Sequence, residues 1–164
     1  MIYAKWTDMV ERFGERELIQ LSDRDDTGEI NSQVLTRALN DATAFVDGYL
    51  GRVYQLPLRG CAKPLAVPGG IPEYVVPPVL KRLVCDLARY YLFTDVLDEK
   101  HEAVRRQQSA VKDLAAIASG ATQLACPWGG AAGEPLHADA LQEDQVYHSF
   151  APRQLDADAL RGYR

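Results

Sequence analysis

Apolar positions recur at helical spacing in the middle of the chain. Between Ser32 and Leu50 they follow the i, i+3, i+4, i+7 rhythm of one buried helix face. The members are Val34, Leu35, Ala38, Leu39, Ala42, Phe45, Val46, Tyr49 and Leu50. Because a large buried side chain stabilises the fold by ~1.5–3 kcal/mol, we predict that this helix is central to folding. Asn31 or Ser32 is expected to cap its start.

The same rhythm predicts two helices further along. One starts at Pro78, where proline is tolerated, and runs to about Phe93 on Val79, Leu80, Leu83, Val84, Leu87, Tyr91 and Leu92. We interpret the interleaved Lys81, Arg82, Asp86 and Arg89 as a solvated face, or one that pairs with acids of a second subunit. The other helix spans roughly residues 98–118, with a thinner stripe at Val104, Val111, Leu114, Ala115 and Ala118.

The N-terminal segment predicts a pair of short helices over residues 8–21. Thr7 is the expected cap, and Gly14 separates the two helices. The outline resembles a helix-turn-helix, so a DNA-binding regulator is one alternative. The second helix, however, offers two acids and one Arg to a phosphate backbone, which disfavours that reading.

The remaining segments are not regular. Residues 52–58 have extended character, and the proline-rich residues 59–78 predict a long ordered loop or a β-like arm. Residues 121–145 have the Ala, Gly and Pro content of a linker. Spaced apolar anchors in residues 146–164 predict a segment that folds on a partner, or alternatively packs back on its own domain.

The fold class follows as mainly α: a small four-helix-type bundle with a Pro-rich extended loop or short β arm and an extended C-terminal tail. We divide the 164 residues into a helical domain 1–120, a linker 121–145 and a docking segment 146–164. Eighteen Lys and Arg against 23 Asp and Glu give a net charge of −5, which disfavours a strongly basic nucleic-acid binder. No stretch reaches the ~20 apolar residues of a membrane span, and the polar start does not fit a secretory signal.

The cysteines and histidines do not predict a site. Cys61, Cys85 and Cys126 are odd in number and widely spaced, so we expect neither a disulfide framework nor a metal site. Cys85 lies on a helical apolar stripe and is expected to be buried, and a reducing cytoplasm fits best. His101-Glu102 opens like a zinc motif, but Arg105 stands where a second His is needed. With phosphate-loop and nucleophile-turn motifs also absent, no enzyme and no cofactor are expected.

One loop resembles a metal site. Counted from Asp23, residues 23–31 place acids at positions 1 and 3, a hydroxyl at 5 and Gly at 6, as a calcium loop does. Position 12 should be a bidentate Glu and is Val34, while Arg24 puts a cation inside the cage. A calcium-binding module is therefore kept as an alternative, and a plain polar turn is the simpler interpretation.

Several segments, taken in order and spacing, resemble the Mu-type phage neck proteins. They are Tyr3-Ala4, Asp8-Met9, Arg12 to Glu15, Glu17 to Asp23, Ala38-Leu39, Asp41-Ala42, Asp47 to Leu50, Tyr54 to Leu58, Cys85 to Leu92, Ile117 to Gly120, Ser149-Phe150, Arg153 and Leu160 to Tyr163. The resemblance covers residues 1–120 well and residues 121–145 hardly at all.

The resemblance implies a function that the residues alone do not. Such proteins are expected to be head–tail connectors, or adaptors, in the neck of the virion after assembly in the host cytoplasm. A ring of copies, expected to be a dodecamer matching the portal protein, would extend the DNA channel and meet a tail-side neck or terminator protein. A tail-completion or terminator ring is the closest alternative. DNA would pass without sequence-specific binding, and no membrane is involved.

Two surfaces are predicted to make these contacts. The portal-binding residues are expected to be Val146, Phe150, Arg153, Leu155, Leu160 and Tyr163. The subunit interface is expected to use Arg105, Arg106, Lys112, Tyr74 and Val75.

Overall fold

The structure, a computed structural model, describes residues 2–65 and 70–136. Within these residues five helices and one two-stranded sheet follow in chain order: α1 Trp6–Phe13, α2 Glu15–Ser22, α3 Ser32–Leu50, β1 Cys61–Ala62, β2 Tyr74–Val75, α4 Pro78–Leu92 and α5 Glu102–Ala118. The predicted mainly α fold is confirmed.

The centre of the fold is a packed trio of helices, in which α3 lies mainly against α4 and α5 contacts both. The α3 positions predicted from periodicity form its inner face: Leu35, Ala38, Leu39, Ala42, Val46 and Leu50 are buried. On α5 the buried side is rotated from the prediction. Leu114 and Ile117 are buried together with the small Ala103 and Ala110, while Ala115 is exposed.

The helix starts follow local chemistry. The Asn31 side chain accepts hydrogen bonds from the backbone N–H groups of Gln33 and Val34, both at 3.2 Å, which is the expected cap of α3. Pro78 is the first residue of α4, as predicted. The predicted start of α5 at residue 98 is wrong: the helix begins at Glu102, where His101 Nδ1 accepts the N–H of Ala103 at 3.2 Å.

The N-terminal helices form a hairpin on the outside of the trio. The predicted Thr7 cap is wrong, because Thr7 lies inside α1 and Lys5 occupies the cap position. The Lys5 N–H donates a hydrogen bond to the Asp8 carboxylate at 2.7 Å. Gly14 separates α1 from α2 with φ of +84°, a left-handed value that glycine adopts without strain. The buried Tyr3 hydroxyl donates a hydrogen bond to Asp47 on α3, which ties the segment before α1 to the trio.

The proline-rich region forms the predicted arm, since β1 and β2 pair antiparallel with Cys61 opposite Val75. The expectation of no disulfide is wrong. Cys61 is bonded to Cys126 across 65 residues of sequence, with the two Cα atoms 5.4 Å apart. That distance is typical of a disulfide. The two cysteines come together because the chain after α5 folds back towards β1.

The described part of the predicted linker, residues 121–136, is not a free tether but packs on the domain. Leu124 and Ala132 are buried in the core, and the Leu124 N–H donates to the Tyr54 hydroxyl at 3.0 Å. Leu136 N–H donates to the Val53 carbonyl at 2.8 Å, so this segment runs beside the extended residues that follow α3. Gly133 packs closely there, because a Cβ would lie 2.6 Å from Leu58 Cδ1 and would force that side chain to shift.

Candidate functional site

Six charged side chains join the N-terminal hairpin to α4 and α5, and we call them the ion-pair network. Its members are Arg12, Glu17, Asp86, Arg89, Glu102 and Arg106. Arg12 donates two hydrogen bonds to Asp86, from Nε to Oδ1 at 3.1 Å and from an Nη to Oδ2 at 3.0 Å. Arg106 also lies near this carboxylate, 3.6 Å from Oδ1. One carboxylate of α4 thus holds an arginine from α1 and another from α5.

Arg89 closes the same network one turn further along α4. It lies 2.6 Å from Glu17 of α2 and 4.0 Å from Glu102 of α5, and its guanidinium stacks over the Phe13 ring at 4.9 Å. Asp86 and Arg89 are 4% and 8% exposed. The interpretation of these two residues as a solvated or subunit-pairing face is therefore wrong. They are buried because the N-terminal hairpin and α5 cover that side of α4.

The ion-pair network shifts the pKa of the Glu102 carboxyl group at its exposed end. The hydrogen bond from Arg106, and then its charge, hold the pKa of the exposed Glu102 below its ordinary value.

Cys85, on the neighbouring face of α4, is a buried free thiol as predicted. Its burial raises the pKa to about 12, so the thiol stays protonated at neutral pH and behaves as a small hydrophobe.

The predicted subunit-interface residues fall on three different surfaces. Arg106 is partly exposed and is paired with Asp86 and Glu102 within its own chain. Arg105 and Lys112 are exposed on the outer side of α5, seven residues and so about two turns apart. Tyr74 and Val75 are half-buried on β2 of the arm, where the Arg59 guanidinium stacks over the Tyr74 ring at 4.7 Å.

The predicted portal-binding residues, Val146, Phe150, Arg153, Leu155, Leu160 and Tyr163, lie outside the described residues. The docking-segment hypothesis therefore stays a prediction from sequence.

The sequence reasoning missed an open groove, which we call the aromatic groove, between α3, the end of α4 and the loop that follows. Its volume is about 750 Å³. Its apolar lining is Phe45, Tyr90, Tyr91, Phe93, Val96 and Leu97. Asp41 and Asp95 also line it, and no Lys, Arg or His does. A run of aromatic residues at a helix end, continued by Val96 and Leu97, was the signal available in the sequence.

The groove exposes apolar side chains to solvent. Val96 is fully exposed and Tyr91 is 36% exposed. Partial burial, and then the nearby Asp41 carboxylate, raise the pKa of the Tyr91 hydroxyl. The groove therefore offers aromatic faces together with negative charge, the combination that favours a Lys or Arg side chain with its aliphatic stem.

The Asp23 carboxylate organises the loop in which it lies. Asp23 Oδ1 accepts the N–H of Thr27 at 3.0 Å, and Oδ2 accepts the N–H of Gly28 at 2.6 Å. These backbone bonds lower the pKa of Asp23 and direct its oxygens to the loop itself. Across residues 2–65 and 70–136, no group of three or more His, Cys, Asp or Glu is arranged to hold a metal ion. The calcium alternative stays a prediction from sequence.

In the part of the chain that the structure describes, no helix is both long and apolar enough to cross a bilayer.

Comparison with known proteins places the chain among phage proteins. The model of the family described as Bacteriophage Mu, Gp36 matches residues 3–141. The chain is 29% identical over 128 residues to the Mu-like prophage FluMu protein gp36 of Haemophilus influenzae, with 76% of each chain aligned. It is also 34% identical over 93 residues to Gene product J of Escherichia phage Mu, an alignment that covers 56% of this chain and 55% of that protein.

These relatives define the class as a phage or prophage protein. The chain belongs to the Bacteriophage Mu Gp36 family. The resemblance to a Mu-type phage family stated from the sequence is thereby confirmed.

Proposed function

We propose that the chain is a structural virion protein, a head–tail connector or adaptor whose copies form a ring between the portal and the tail. The observation that carries the proposal is the family match over residues 3–141, together with the ordered resemblance to Mu-type neck proteins. In this role the ring prolongs the DNA channel and presents a docking face to the tail. The proposed activity is mechanical, and no catalysis is part of it.

A connector must keep its shape while it transmits force between head and tail, and the described domain is braced in a way that suits this task. The ion-pair network links four helices through two buried charged residues, Asp86 and Arg89. The Cys61–Cys126 bond fastens the arm to the segment after α5. Both features restrain parts of the chain that lie outside the central trio.

The partners in this proposal are the portal protein, a tail-side neck protein and further copies of the chain. Residues 146–163 would bind the portal through their spaced apolar anchors, because such anchors after a polar segment suit folding on a partner. DNA would slide through without base-specific contacts, which the net charge of −5 favours.

Phe150→Ala tests the portal contact, with Gln154→Ala as the matched control in the same segment. We expect Phe150→Ala to reduce co-sedimentation of the full chain with portal-bearing heads, and Gln154→Ala to leave it unchanged. Equal co-sedimentation of both variants with wild type would refute portal binding by this segment.

The tail-terminator alternative predicts a different defect. A terminator stops tail growth, so a phage without it should carry tails of irregular length. Loss of a connector should leave tails of uniform length beside unjoined heads. Tail-length distributions from a phage that lacks this gene therefore separate the two roles.

A further inference from the structure

We propose that the aromatic groove is the receptor for the outer side of α5 of a second copy of this chain. The inference rests on the proposed ring and names the contact that would build it. It starts from two exposed surfaces of opposite charge that the described fold leaves without ionic partners.

The first surface is the groove itself. Asp41 and Asp95 are exposed among aromatic rings, and the lining holds no cation. The ion pairs found in residues 2–65 and 70–136 involve neither carboxylate. Val96 stands fully exposed at the rim, where contact with another surface would remove it from water.

The second surface is the α5 outer stripe, the exposed residues at helical spacing along one side: Arg105, Gln108, Ser109, Lys112 and Ala115. These five residues include two cations and no acid, and the exposed Glu102, one turn before Arg105, is paired with Arg106. Among the described residues neither cation forms an ion pair, in contrast to Arg106 one position away. Lys and Arg side chains at this spacing fit a groove of aromatic faces and carboxylates.

The two surfaces cannot meet within one chain. The buried side of α5, which includes Leu114 and Ile117, packs on α3 and α4, so the stripe faces away from the bundle that carries the groove. A contact between the two surfaces therefore requires a second copy of the chain. A contact between two different patches is heterologous, and repetition of it generates a ring when the rotation closes.

The experiment is cysteine cross-linking between the rim of the groove and the centre of the stripe. The double variant Val96→Cys/Gln108→Cys is made in the full chain and oxidised under native conditions. The natural cysteines should not interfere, because Cys85 is buried and Cys61 is bonded to Cys126. We expect a ladder of dimer, trimer and higher species on a non-reducing gel, with dimers only from an equal mixture of the two single variants.

The matched control is Val96→Cys/Gln33→Cys, in which the second cysteine sits at an exposed position of α3 away from the stripe. It should give no ladder. Dimers from Val96→Cys alone would indicate an isologous contact and overturn the proposal, as would the absence of a ladder from the double variant at millimolar concentration.

Charge reversal then tests the complementarity. Asp41→Lys/Asp95→Lys and Arg105→Glu/Lys112→Glu should each lower the ladder yield at least about tenfold, since attraction becomes repulsion. Combining all four changes should restore it. A combined variant no better than its parents would refute the pairing.

Purified phage particles separate this inference from the proposed function. Particles that contain the chain but show no cross-link overturn the groove contact and leave the connector role intact. Absence of the chain from particles overturns the connector role, while the ladder from the purified chain still decides whether the contact exists.

Discussion

Asp86→Asn is the most informative single change in the described fold. The substitution keeps the size and shape of the side chain and removes its negative charge. Asp86 is buried and binds Arg12 through two hydrogen bonds of 3.0–3.1 Å, and Arg106 lies 3.6 Å from the same carboxylate. In the variant, two arginines from α1 and α5 are left facing a neutral amide.

The expected loss of stability in Asp86→Asn depends on how exposed the Arg12 and Arg106 side chains are. Removing one partner of a fully buried ion pair costs about 3–5 kcal/mol, because the other charge stays buried and unpaired. The Arg12 and Arg106 side chains are 30% and 41% exposed, so both regain part of their hydration. We therefore expect a loss of about 2–3 kcal/mol, or a fall in Tm of roughly 5–10 °C for a chain of this length.

Urea unfolding followed by circular dichroism measures the loss, with Asp113→Asn as the matched control. Asp113 also pairs an α4 arginine, Arg82 at 2.8 Å, but both side chains are more than 40% exposed. That pair should contribute about 0–1 kcal/mol. Equal destabilisation by the two variants, or a loss below about 0.5 kcal/mol for Asp86→Asn, would refute the reasoning that burial of the network stabilises the fold.

Three further predictions test other parts of the account. Asn31→Ala removes both cap bonds of α3 and should cost about 1 kcal/mol by urea unfolding, whereas Ser32→Ala should change stability little. In denaturant without reductant, thiol titration should find one reactive thiol per chain, that of Cys85, and three after reduction; three before reduction would contradict the disulfide. The pKa of Glu102 is lower in the folded chain than its unfolded value of 4.5, so the ionised carboxylate stabilises the fold fully above pH 4.5. This contribution is lost as the pH falls through the pKa of the folded state. As the pH is lowered below 4.5, the midpoint of urea unfolding should therefore fall less in Glu102→Gln than in wild type.

The parts of the fold that local chemistry determines could be predicted from the sequence. The inner face of α3 follows directly from its apolar spacing, and Asn31 and Pro78 mark the starts of their helices. The prediction of the α1 cap failed because a neighbouring side chain competes with Thr7 for that role. Thr7 is a good cap by type, yet the Asp8 carboxylate reaches back to the N–H of Lys5 and moves the start of α1 by two residues.

The features that depend on distant contacts could not be predicted. The Cys61–Cys126 bond requires knowing that residues 121–136 return along the extended segment after α3, and their Ala, Gly and Pro content suggested a free linker instead. Asp86 and Arg89 looked like surface charges on α4, since only the packing of the N-terminal hairpin and α5 buries them. The aromatic groove likewise forms from three elements, so its residues were visible in the sequence but their convergence was not.

Electron microscopy of a lysate from a phage that lacks this gene tests the connector role most directly. The account predicts DNA-filled or leaking heads beside complete, unattached tails, and joined particles again when the wild-type gene is supplied in trans. Normal infectious particles made without the gene would contradict it.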